Sequence, residues 1–276
     1  MSINLHSQLK PSKMKKKISC AGMPFLLLFI GLVFNCNTAL HAQGITVYQY
    51  RRVDADKMDE FIKRETTYWS KVAQKAIDGG KMSFWALLMK VGGADEPNAP
   101  NVLFVNTFPD IDTDLSDVFN AAKVFPGVPL SKIDTYGMST VIGEYFLRDQ
   151  GWQQGANVNA DKDFKYIKMN YHNSTDPISF NAIEVNNWGP FIKAAMDKNQ
   201  TAQKAWGNAL VLSPTGGAMK FNCLSYDLYS SLQTALVEKW SPDTKFPTSG
   251  LDSLQKISSN PPITFIYKIV KVVAKN

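Results

Sequence analysis

Apolar side chains recur at Met58, Phe61, Ile62, Trp69, Val72, Ala73 and Ala76, the i, i+3, i+4 spacing of one helical face, and Glu65 falls on the same stripe. The spacing predicts a helix over 54–78, started by Asp54 or Asp56 and ended by Gly79-Gly80. Residues 45–53, ITVYQYRRV, are β-branched and aromatic and read as a strand. Residues 81–91, KMSFWALLMKV, are apolar on both faces, so both should be covered. A loop to Pro100, a strand over 101–108, a short helix over 114–125 and a strand over 143–152 follow. The order is β-α-β-β-α-β, the ferredoxin-like arrangement of an antiparallel sheet with two helices on one face.

The pattern then starts again. A polar stretch at 154–163, QGANVNADKD, reads as a linker. Beyond it come a strand over 164–172, a helical region over 178–199 kinked or restarted by Pro190, and strands over 203–212 and 218–226. A helix over 228–240 and a strand over 263–273 complete the series. Val47 and Tyr166 are 119 apart, as are Trp69 and Trp188; Trp85 and Trp206, like the pairs Phe125-Pro126 and Phe246-Pro247, are 121 apart. So regular an offset reads as a tandem duplication, with repeats at 43–153 and 164–276.

Duplication has a physical motive. A ferredoxin-like sheet covers one face with helices, and in 81–91 both the Phe84, Ala86, Leu88 face and the Trp85, Leu87, Met89 face are apolar. A wet second face would be a patch that soluble monomers avoid. Burying it is worth roughly 25 cal/mol per Å². The expected fold is therefore α+β, two ferredoxin-like repeats packed sheet to sheet as an intrachain version of a two-subunit α+β barrel.

The run VYQYRRVDADKMDEFIKRETTYWSKVAQKAIDGGKMSFWALL, continued by NVLFVNTFPDID, resembles exported bacterial proteins related to the dimeric α+β barrel, antibiotic-biosynthesis-monooxygenase-like superfamily. The resemblance covers about 45–152 and, in fainter form, 164–273. It implies a pocket between sheet and helices. Relatives of that kind include cofactor-independent oxygenases, haem-degrading enzymes, isomerases and small-molecule binders, so no single reaction is implied.

The first 42 residues change the charge picture. KPSKMKKK at 10–17, the apolar run FLLLFIGLVF at 25–34 and Ala42 have the layout of a signal peptide cleaved after Ala42. The apolar run is half of what a membrane span needs, so no stable insertion is expected after cleavage. Cys36 would allow a lipoprotein, but Asn35 precedes it where a small residue is wanted. The expected destination is the periplasm or the exterior. The whole chain has 30 Lys+Arg against 24 Asp+Glu; without the five leader lysines the count is 25 against 24. Nothing in that balance attracts nucleic acid or an anionic membrane.

Beyond the leader, Cys223 and His172 are the sole cysteine and histidine, too few for an intramolecular disulfide or an ordinary zinc site. Trp69, Trp85, Trp188 and Trp206 are candidates for lining an aromatic-ligand pocket, against core packing. His172 is a candidate base or haem ligand, against a surface role; the first repeat has no histidine, which speaks against haem. Asp110, Asp112, Asp114 and Asp117 lack the Gly and Glu of a calcium loop and fit a helix start instead. No phosphate loop or Gly-x-Ser-x-Gly is present, and Cys223 reads as a buried thiol. No metal or cofactor is expected. With no ionisable cluster in view, the chain is expected to bind a small apolar or aromatic molecule, or a partner, without catalysis. The alternative is a cofactor-independent monooxygenase or isomerase acting on a phenol- or quinone-like substrate. Residues 241–262 form a loop long enough for a lid or a partner contact.

Overall fold

Tyr48 and Tyr50 turn to one side of the first strand while Val47 and Val53 turn to the other, and each side joins a different core. This alternation sets the architecture of the computed structural model, which describes residues 44–92, 96, 98–217 and 219–275. Its strands are β1 (Ile45–Val53), β2 (Phe84–Lys90), β3 (Val102–Phe108), β4 (Ser139–Gln154), β5 (Tyr166–His172), β6 (Ala205–Ser213), β7 (Cys223–Tyr229) and β8 (Ile263–Ala274). They close into an antiparallel barrel in the order β1-β3-β2-β8-β5-β7-β6-β4. The expected signal peptide lies outside the described residues.

The interior is filled from both halves of the chain. Tyr48, Ala86, Leu88, Leu103 and Val105 meet Met169, Ala209, Leu224 and Tyr267 in one cluster. At its centre Tyr50 Oη donates to Tyr171 Oη at 3.1 Å, and Tyr171 and Tyr267 share a hydroxyl contact of 3.3 Å. Buried hydroxyls need partners, and here they supply one another.

The helices lie outside the barrel. In chain order they are α1 (Met58–Arg64), α2 (Ser70–Asp78), α3 (Leu115–Val118), α4 (Ala121–Val124), α5 (Leu130–Ile133), α6 (Ala160–Asp163), α7 (Pro177–Ile183), α8 (Gly189–Asp197), α9 (Leu232–Leu236) and α10 (Thr248–Ile257). A π-helical turn, Glu65–Trp69, joins α1 to α2, and a second, Glu184–Trp188, joins α7 to α8. Each is a local widening of the i→i−4 ladder, a feature that recurs at functional sites. Thr66 Oγ1 bonds Ile62 O and Ser70 Oγ bonds Thr66 O, both at 2.7 Å, satisfying carbonyls that the widened turn frees. Pro190 sits in the first turn of α8, just after the second π-turn. The expected restart at Pro190 is therefore present, although the first π-turn forms without a proline.

Several sequence expectations change. The two halves are not merely stacked: β2 pairs with β8 from Phe84↔Ala274 to Lys90↔Tyr267, and β4 pairs with β6 from Phe146↔Ser213 to Gln154↔Ala205. Edge strands left open would expose backbone donors and acceptors, and closing the barrel removes them. Trp85 is buried by the helices and by Phe104, not by an opposing sheet; the inward face of β2 carries Ala86 and Leu88. The helix expected over 114–125 is α3 and α4, with Asn120 capping the latter. The strand expected over 218–226 begins at Cys223, the helix over 228–240 shrinks to α9, and β4 starts at Ser139. The stretch read as a linker is tied down: Gly155 N bonds Lys204 O, Ala156 N bonds the Asp197 carboxylate, and α6 follows. Within 241–262 the chain forms α10, whose Gly250 comes so near Asn187 that a Cβ would lie 2.9 Å away.

Candidate functional site

Two cavities lie between helices and barrel, one in each half of the chain. The first, about 550 Å³, has walls of Val47, Trp69, Trp85, Phe104, Phe119 and Phe146. Outward-facing Gln49 and Arg51 of β1 and Asn106 of β3 reach into it. Glu65 enters from the first π-turn, four residues ahead of Trp69.

Glu65 is 4% exposed, and Thr135 Oγ1 donates to its Oε1 at 2.6 Å. Burial pushes its carboxyl up to about 7, against the opposing pull of the Thr135 hydrogen bond and the Arg51 charge. Arg51 lies over the Phe104 ring at 4.9 Å, and its Nε donates to Gln49 Oε1 at 2.6 Å. Trp69 Nε1 donates to Ile133 O at 3.1 Å, which fixes the indole. Asn106 Oδ1 is buried without a hydrogen-bond partner. An aromatic box with one carboxyl near neutrality, one guanidinium and one open acceptor can hold a flat apolar molecule and exchange a proton with it.

The second cavity, about 760 Å³, is bounded by Trp188, Trp206, Trp240, Phe180 and Phe246, with α10 supplying Leu251 and Leu254. Its polar wall is richer. Glu184 enters from the second π-turn; it is 5% exposed, and burial raises its carboxyl to about 8 although Asn208 Nδ2 donates to it at 3.2 Å. Asp227 is 6% exposed and raised to about 7 by burial, and it accepts from Asn170 Nδ2 at 3.2 Å and Gln203 Nε2 at 2.5 Å. His172 Nε2 lies 3.1 Å from Ser225 Oγ, its ring packs on Phe180, and burial lowers it to about 4, leaving a neutral imidazole.

Trp69 and Trp85 thus share the first cavity, and Trp188, Trp206 and His172 share the second; no single cavity gathers all five. Sequence reading missed Glu65, Glu184, Asp227 and Arg51. The signal was there for the first two: Glu65 interrupts an apolar stripe, and Glu184 precedes Trp188 by the same four residues. The expectation that no ionisable cluster would be found is overturned by these buried carboxyls. Cys223 is buried, and its thiol is pushed up to about 12. Asp114 caps α3 and Asp117 pairs with Lys81 and Lys123. Among the described residues, no three His, Cys, Asp or Glu come together as a metal-holding group, and no helix is long and apolar enough to cross a membrane.

No family model matches the sequence, and no curated protein does. Solved structures do. A proposed monooxygenase of Fusobacterium nucleatum subsp. nucleatum ATCC 25586 superposes with a TM-score of 0.51 at 10% identity, covering 84% of this chain and 94% of that one. The fold is the dimeric α+β barrel. An anthrone oxidase-like protein is similar at 11% identity and TM-score 0.49, over 84% of this chain and 93% of that one. A proposed monooxygenase of Lactobacillus acidophilus NCFM is similar at 7% identity and TM-score 0.48, over 84% and 95%. In the dimeric α+β barrel seen here, both cavities lie between the strands and the helices outside them.

Proposed function

We propose that the first cavity binds a small planar aromatic molecule bearing an acidic hydroxyl, of phenol or quinol type, and that Glu65 removes its proton. One observation carries the reading: Glu65 is a buried carboxyl held near neutrality at the wall of an aromatic box. Raised to about 7, it is a stronger base than an ordinary glutamate, which narrows the gap to a phenolic hydroxyl. The phenolate so formed would face the Arg51 guanidinium. Plain binding was the first expectation because no tuned acid–base group was visible; Glu65 removes that reason. Oxygenation by dioxygen or isomerisation then becomes the favoured class, with the proton transfer as its first step. The fold likeness to the proposed Fusobacterium monooxygenase is compatible with this and adds nothing about substrate.

The test separates binding from proton removal. 2-Naphthol should quench tryptophan emission equally in the full chain and in Glu65→Gln, whereas turnover of a hydroquinone panel should fall off below about pH 7 in the full chain and be lost in Glu65→Gln. Equal turnover in both proteins, or none in either, would overturn the reading. Oxygen uptake with a hydroquinone panel separates oxygenase from isomerase.

The same reading includes a duplication, repeats 43–153 and 164–276 joined by 154–163. What supports it is register. Trp85 pairs with Asn106 and Trp206 with Asp227; Gln49 pairs with Phe104 and Asn170 with Ser225. Strand positions therefore correspond at 121, so Val47 answers to Lys168 instead of Tyr166, while the π-turns correspond at 119. We also propose export, with residues 1–42 removed as a signal peptide, and no nucleic-acid partner. Size-shift and N-terminal sequencing of the secreted form check the cleavage point.

A further inference from the structure

The two cavities differ in charge at matching places. Where Arg51 reaches into the first from β1, the same register in the second holds His172, neutral and bonded to Ser225. Where Asn106 faces the first from β3, Asp227 faces the second from β7, each beside its tryptophan partner Trp85 or Trp206. The second cavity thus loses a cation and gains a buried carboxyl. Glu184 and Asp227 are both buried, Glu238 adds a third carboxyl at the rim, and no Lys or Arg is among the residues that line the space. The nearby Lys168 is bonded to Glu238 at 2.5 Å. Trp188, Trp206 and Trp240 line the same space.

We propose that the second cavity is a binding site for a small organic cation, an ammonium group carried on an apolar or aromatic body. An ammonium group favours the ionised form of the two buried carboxyls, which then supply charge and acceptors for its N–H donors, and the indoles supply aromatic surface that attracts a desolvated cation. An anion would meet acids without a compensating guanidinium. A neutral body of the same shape would bring the carboxyls no charge partner. The volume of about 760 Å³ suits a ligand of drug size, and the Leu251 and Leu254 side of α10 closes over it. This site does not depend on the reading of the first cavity.

Three probes of one shape test it on the full chain: 2-phenylethylamine, 2-phenylethanol and phenylacetate, by calorimetry at neutral pH. The amine should bind at least tenfold more tightly than the alcohol, and phenylacetate should bind more weakly than both. Asp227→Asn should erase the amine-over-alcohol ratio while keeping alcohol affinity, a ratio that a folding defect alone would not change. Glu238→Gln, at an exposed position, should lower amine affinity a few-fold and guards against misfolding of the buried variant. Equal affinity for amine and alcohol would overturn the proposal, as would a ratio that survives Asp227→Asn or one that vanishes in Glu65→Gln instead.

Discussion

Thr135 Oγ1 donates a 2.6 Å hydrogen bond to Glu65 Oε1, and both residues are almost fully buried. A hydrogen bond to a carboxylate favours its charged form, so Thr135 works against the burial that raises Glu65. Thr135→Val keeps the shape and removes the donor. The carboxyl of Glu65 should then titrate above about 7, a shift readable by carbon NMR of labelled glutamate. Losing one buried hydrogen bond should also lower stability by about 1 kcal/mol in denaturant titration. An unchanged titration would mean that Thr135 does not govern this proton.

Stability should fall as pH rises from the mildly acid range to about pH 8. Glu65, Asp227 and Glu184 all have folded values raised above their ordinary ones, to about 7, 7 and 8. Each therefore holds a proton in the folded state that the unfolded chain has already lost. Their contribution is complete at pH below the unfolded value and is lost as pH climbs through the folded one. His172 has the opposite sign, being lowered to about 4, and its effect is spent by about pH 7.5. Between pH 6.5 and 8.5 the loss should be about 3 kcal/mol, seen as a falling thermal midpoint. Glu184→Gln, which stays neutral, should flatten the upper part of that slope. A midpoint that rises over this range would contradict the burial of these carboxyls.

The fold was largely legible because strands and helices carry their periodicity in every residue. Ala86 and Leu88 against Trp85 and Leu87 displayed two apolar faces, and tryptophans recurred at a near-constant offset. Which face looked inward was not legible, since both are apolar and only the closure of β2 onto β8 decides it. The strand beginning at Cys223 was misplaced because Met219 and Phe221 extend the same alternation backwards; Phe221 is buried, packed against Tyr145 and Tyr171, without belonging to the strand. The site was less legible for a different reason. Glu65 and Asp227 look like surface acids in sequence, and their raised proton affinities come from burial among residues distant in the chain, against the pull of hydrogen bonds from Thr135 and Gln203.

Barrel closure should depend on the tyrosine hydroxyls. Tyr171 bonds Tyr50 from the other half of the chain and Tyr267 from β8. Tyr171→Phe leaves both neighbours short of a partner in a dry interior. The expected cost is about 1–3 kcal/mol, and removing all three hydroxyls together should cost less than the sum of the single changes. Urea unfolding of the single and triple phenylalanine variants checks this. Simple additivity would show the hydroxyls to be independent.

Gly207 and Ala86 each follow a tryptophan, Trp206 in β6 and Trp85 in β2, and their cross-strand partners differ. Ala86 faces Val105, whereas Gly207 faces Tyr226. A Cβ on Gly207 would lie 2.5 Å from both Cζ and Oη of the Tyr226 ring, far inside van der Waals contact. The tyrosine fills the volume that a methyl group and a smaller partner fill in the other half. Gly207→Ala should therefore destabilise the barrel by about 1–3 kcal/mol, the usual cost of overpacking. Gly207→Ala combined with Tyr226→Val reproduces the Ala86–Val105 pair and should recover part of that loss, since each substitution relieves the other's misfit. A double variant no better than the sum of the two singles, measured by chemical unfolding, would show that the two positions are not coupled through this contact.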